Sequence, residues 1–147
     1  VMNGFNGAQK KARDAQRKAD VSQIVKVLEL YYLENGRFPP GSGSTIINAS
    51  WSSTVDPSWQ NLVTALEPFG KIPTKDPTNT QGVSSLSGGY GYSYFAGSYC
   101  GAGTYQMYLL VYRFEKDAQE DTLIGSCATN PLNPYGGGTL SNRRVVR

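Results

Sequence analysis

A chain of 147 residues with a formal net charge of +3 and no histidine is long enough for one core, and buries roughly two thirds of its unfolded surface on folding. The missing histidine removes the commonest general base and the commonest zinc ligand, and so small a charge balance does not supply the dense basic face of a nucleic-acid protein. The charge is nevertheless uneven: Lys10 to Asp20 holds five positive and two negative residues, Arg143, Arg144 and Arg147 add three positive ones, and the remainder is net acidic by three.

The first predicted element is a long helix over residues 8–35. It is preceded by VMNGFNG, Val1 to Gly7, read as native sequence with a cloning remnant as the other reading; its two glycines weaken helix by about 1 kcal/mol each. Val21, Ile24, Leu28 and Tyr31 are spaced by three, four and three and share one face at 3.6 residues per turn. Burying that stripe contributes on the order of 6 to 12 kcal/mol gross. Ahead of it the residues are charged or polar apart from the small line Ala8, Ala12, Ala15 and Ala19, so this front half is expected to project rather than bury. Asn35 and Gly36 supply a left-handed stop and Pro39 prevents resumption. Across the whole chain no window approaches the roughly 20 consecutive apolar residues of a membrane helix.

The run ARDAQRKADVSQIVKVLELYYLENGRFP, Ala12 to Pro39, resembles the segment behind the membrane-inserted part of type IV pilins and the related secretion-system pseudopilins. Its order of parts is the resemblance: basic and alanine-rich, then apolar at helix spacing, then a paired-tyrosine helix end before Asn-Gly and an aromatic-Pro. The resemblance implies an α+β, pilin-like fold, with a long N-terminal helix packed on a small antiparallel sheet and a short second helix in the connecting loop. It also implies an apolar half-helix joining before Val1, assembly of identical subunits into an extracellular filament through that helix, contact with the pilus assembly machinery, and residence in the inner or cytoplasmic membrane before assembly. Lys10, Lys11, Arg13, Arg17 and Lys18 are then candidates for contact with neighbouring subunits or anionic lipid headgroups.

Residues 36–88 read as a loop region. Gly41 to Ser53 has little periodicity apart from Ile46, Ile47 and Trp51. A short helix is predicted over 57–67, with Asp56 as N-cap, Pro57 first, and Trp59, Leu62, Val63 and Leu66 on one face. Pro68 and Gly70 end it, and IPTKDPTN from Ile72 to Asn79 is a turn-rich crossing.

The period then falls to two, and residues 89–127 read as a three-stranded antiparallel meander. Its first strand, Gly89 to Phe95, puts Tyr90, Tyr92 and Tyr94 on one face. Its second, Tyr105 to Glu115, is apolar on both: Tyr105, Met107, Leu109 and Val111 on one, Tyr108, Leu110, Tyr112 and Phe114 on the other. Such a strand is central. Lys116 to Asp121 is expected to turn and Thr122 to Ser126 to return as the third strand. Residues 128–147 form a tail, with an ordered loop at Pro131 to Gly138 and a disordered end from Ser141. Cys100 and Cys127 fall at one edge of such a meander. Strands one and three are about 9.6 Å apart, beyond the roughly 7 Å limit for a disulfide, so Gly101 to Thr104 must let the loop arch over. The bond would add roughly 3.5 kcal/mol and belongs outside the cytoplasm; two buried free thiols are the other reading. The pilin resemblance implies the disulfide, bounding the outward-facing C-terminal region.

Sharper chemistry finds little support in these residues. An exposed tyrosine face could stack sugar rings, as in a free-standing carbohydrate-binding or adhesion module, but alternating tyrosines more often form core beneath a helix. Asp117, Glu120 and Asp121 could begin a calcium shell, as major pseudopilins of type II secretion do near this position, yet KDAQED lacks the glycine and spacing of a calcium loop. The expected reading is a solvated turn, no metal and no cofactor. Scattered exposed charges between Lys10 and Lys18 bind nucleic acid weakly. No nucleophile elbow, phosphate loop or paired carboxylates mark an active site, and the chain is not expected to be an enzyme.

Overall fold

A computed structural model of the chain describes residues 2–80, 89–99, 101–117, 121–122 and 142–146. Helix α1 spans Met2–Asn35, β1 Ser52–Ser53, α2 Trp59–Leu66, β2 Ser93–Gly97, β3 Met107–Tyr112, β4 Asp121–Thr122 and β5 Asn142–Val146. The chain is α+β, as its change of period implies. The strands form one sheet in the order β1-β2-β3-β5-β4, in which β2, β3 and β5 make an antiparallel centre with a two-residue strand at each edge.

Helix α1 is 34 residues long, about 50 Å at 1.5 Å per residue. It starts six residues before the predicted Ala8, because lengthening an existing helix is far cheaper than nucleating one, and the helical cost of Gly4 and Gly7 is absorbed. Its end is as expected. Gly36 takes φ +68° and its N–H donates to the Tyr32 carbonyl at 2.7 Å, while the Asn35 amide donates to the Tyr31 carbonyl. The predicted stripe is buried at Val21, Ile24 and Leu28, joined by Val27, and half-buried at Tyr31. Against it lie Tyr94 and Ala96 of β2 with Tyr92 just ahead of it, Tyr108, Leu110 and Tyr112 of β3 with Phe114 just past it, and Trp59, Leu62 and Leu66 of α2.

Strand β3 has the two apolar faces read from its alternation. Tyr108, Leu110 and Tyr112, with Phe114 just beyond the strand, meet the helix, and Met107, Leu109 and Val111 form a second cluster with Trp51. Tyr105 departs from that pattern. Its φ is +55°, outside strand geometry, and it packs on the helix-side core rather than beside Met107. Within the stretch expected to be an ordered surface loop, Trp51 is the buried anchor next to β1, whose Ser52 and Ser53 pair with Tyr94 and Ser93.

Helix α2 begins two residues later than predicted. Asp56 accepts hydrogen bonds from the backbone N–H and hydroxyl of Ser58, and a tight turn follows, with Gln60 N–H to Pro57 C=O and Asn61 N–H to Ser58 C=O, before regular helix sets in. Past its end, a Cβ on Gly70 would stand 3.0 Å from Val27 Cγ2, so a glycine there lets the chain pass close under α1.

The meander is the main correction. The antiparallel neighbour of β3 is β5, with Leu110 opposite Arg144, and Asp121–Thr122 forms an outer strand, β4, that runs parallel to β5. A central strand must satisfy backbone groups on both edges, and Asn142–Val146, expected to be disordered, supplies the second edge. Cys100, Cys127, Glu120 and the loop at Pro131 to Gly138 lie outside the described residues.

Candidate functional site: the front half of the long helix

The front half of α1 divides by face. Gly4, Phe5, Asn6 and the residues from Ala8 to Ala12 are exposed, as are Ala15 and Ala19, so the whole alanine line faces solvent. On the opposite face Asp14 and Arg17 are fully buried and Asp20 nearly so. The expectation that this half only projects is therefore corrected from Arg13 onward: one of its faces is covered by its own chain. The spacing contains the signal. Asp14, Arg17, Val21, Ile24, Leu28 and Tyr31 are separated by three, four, three, four and three, so the two charged residues continue the apolar stripe forward.

Burial of an arginine demands acceptors for its fork of donors, and Arg17 has them. Its Nε and Nη2 donate to the two carboxylate oxygens of Asp76 at 2.7 and 2.9 Å. Its Nη2 also reaches Thr78 Oγ1 at 2.9 Å, and its Nη1 donates to Asp14 Oδ1 at 2.9 Å and Glu115 Oε2 at 2.7 Å. The guanidinium stands 4.7 Å from the centre of the Tyr90 ring, as does that of Arg113, adding cation–π attraction. Arg13 forks onto Glu115 at 2.6 and 2.7 Å.

The carboxylates fix the loops in turn. Asp14 accepts from the backbone N–H groups of Glu115, Lys116 and Asp117 at 2.8, 2.7 and 3.0 Å. Asp76 accepts from Thr78 and Asn79 N–H, so the predicted Asp-Pro crossing is knotted beneath the helix. One turn further along, the Tyr92 hydroxyl donates to Asp20 Oδ2 at 2.7 Å.

The electrostatics follow the contacts. Burial works against charge on Asp14, but the three loop N–H groups and Arg17 hold its pKa below the usual carboxylate value. The fork from Arg13, with Arg17 behind it, lowers Glu115 against the opposing effect of burial. Burial likewise opposes the Arg17 charge, and Asp76 and Glu115 outweigh it, leaving the guanidinium more firmly protonated than usual. Burial and then Asp20 raise the Tyr92 phenol far above its ordinary value. Asp14, Asp76 and Glu115 each accept hydrogen bonds from Arg17, an arrangement that ties the helix to the loops.

Of the basic contact candidates, Lys10 and Lys11 are free to meet an external surface by exposure. Arg17 is removed from that set by its burial, and Arg13 is half-buried on Glu115. Lys18 pairs with Asp117 at 2.6 Å and stays about half exposed, with its ammonium 5.4 Å from the Phe114 ring. Asp117, a weak calcium candidate, thus has a cation on its carboxylate. Tyr92, Tyr94 and Tyr108 are completely buried and so withheld from any sugar ring, while Tyr90 is half-buried and Tyr99 exposed. A groove of about 190 Å³ beside Val63, Gly70 and Ile72 is below the roughly 300 Å³ at which small-molecule pockets begin. No described helix is long and apolar enough to cross a membrane.

Comparison with protein-family models, curated proteins and solved structures gives no match for this chain.

Proposed function

We propose that the chain is the globular part of a type IV pilin-like subunit, a structural protein rather than an enzyme, which polymerises into a filament outside the cell. The observation that carries this reading is the length and open face of α1. Its first turns, through Ala12, extend past the residues that engage the sheet, and the exposed line Ala8, Ala12, Ala15 and Ala19 is a surface on which another helix can approach closely. Lys10 and Lys11 flank it with positive charge for a neighbouring subunit or, before assembly, for anionic lipid. In this reading the Arg17 cluster sets the angle at which the helix leaves the globule, and the sheet forms the outer wall of the fibre. An apolar segment ahead of Val1 would insert in the membrane and later line the fibre axis.

Shearing the surface of cells that make the protein, and sedimenting the fibres, tests the reading. The chain is expected in the sedimented fibres, labelled along their length by antibody to the globule. Recovery solely as free monomer would remove the filament and leave an exported module.

A further inference from the structure

We infer that Asn48 is an acceptor for an N-linked glycan. The chain holds nine asparagines, and Asn48 alone is followed two positions later by a hydroxyl residue, in Asn48-Ala49-Ser50 with no proline between. That pattern is the acceptor motif of asparagine glycosylation and belongs on a surface loop of an exported protein. The fold places it so. Asn48, Ala49 and Ser50 are all exposed, at the tip of a loop whose base is closed by Gly43 N–H to Ala49 C=O and Ser44 N–H to Trp51 C=O, both 2.9 Å. Trp51, the next residue, is buried in the second core cluster. A bulky sugar on Asn48 therefore projects into solvent without disturbing the anchor beside it.

Local geometry suits the chemistry. The Asn48 Oδ1 accepts the Ser50 N–H at 2.9 Å, a turn that fixes the side-chain amide of an exposed residue whose Nδ2 is the reacting atom. The donor class is a glycan on a polyprenyl diphosphate, presented by a membrane oligosaccharyltransferase. Nδ2 attacks the anomeric carbon, the new N–C bond replaces the C–O bond to diphosphate, the lipid diphosphate leaves with that electron pair, and the amide proton passes to a base of the transferase. The site rests on the export reading for its access to this donor.

Mass spectrometry of the surface fraction tests it. The tryptic peptide from Phe38 to Lys71 contains Asn48 and is expected to carry a sugar mass that Asn48→Gln and Ser50→Ala abolish and Ser50→Thr retains. An exported chain whose peptide has its unmodified mass overturns the site. Absence of the chain from the surface fraction would instead sink the export reading, and purified transferase with its lipid-linked donor then decides the site: transfer to Asn48 of the folded chain supports it, and no transfer overturns it.

Discussion

The two halves of α1 are fastened to the same body by different forces. From Val21 onward the helix is held by apolar contact, with Ile24 and Leu28 completely buried against tyrosines of the sheet. From Arg13 to Asp20 it is held by charge: Arg17 is engaged by Asp14, Asp76 and Glu115, and Asp14 collects three loop N–H groups. Apolar contact is indifferent to pH and tolerant of shape, whereas a buried ion cluster is directional and fails when one member is lost. The rear half therefore supplies bulk stability, and the front half supplies a fixed angle.

Breaking the ionic side should cost most. Arg17→Met leaves Asp14, Asp76 and Glu115 facing one another in a buried site and is expected to destabilise by about 3–5 kcal/mol, read as a melting-temperature drop of about ten degrees. A melting temperature within about two degrees of the parent would show that the cluster is not holding the helix. On the apolar side Leu28→Ala is expected to cost about 2–5 kcal/mol, by an amount that stays constant between pH 7 and pH 4.

Acid sharpens the contrast. Asp14 and Glu115 have pKa values lowered by folding, so the folded state binds fewer protons than the unfolded chain near these values. Their stabilisation is full above the unfolded values of about 4 and is lost as pH falls through the lower folded ones. Chemical denaturation across pH 2 to 6 should show that loss in the parent and a shallower one in Asp14→Asn, which starts from lower stability at pH 6. Parallel curves would contradict the assignment.

Smaller effects lie at the edges of the cluster. Tyr92→Phe deprives the Asp20 carboxylate of its buried hydroxyl and is expected to cost about 1–3 kcal/mol, measured by denaturant midpoint. Lys18→Ala removes a half-exposed pair and should cost under about 1 kcal/mol, with the difference shrinking in 1 M salt.

The same contrast explains what was legible in the sequence. Hydrophobic periodicity marks the rear stripe, the face of α2 and the two-sided β3, because those residues are buried for being apolar. Asp14 and Arg17 obey the same spacing but carry charges, and a reading that sorts by polarity sends them to solvent. Their partners Asp76 and Glu115 lie 59 and 98 residues from Arg17, beyond any local pattern. β5 was hidden for a related reason: Arg143 and Arg144 look like a soluble tail, and only the unmet edge of β3 demands a strand there. Trp51 stands out within its loop, but no neighbouring residue says which face it covers.

The most direct test of the filament account is a photoactivatable cross-linking residue at Ala8 or Ala15, on the exposed face opposite the ionic cluster, in subunits made by the producing cell. Irradiated surface fibres should yield a ladder of multimers of this chain joined through α1. Fibres that contain the labelled chain yet give it back as monomer from both positions would contradict the claim that this face of the helix meets neighbouring subunits.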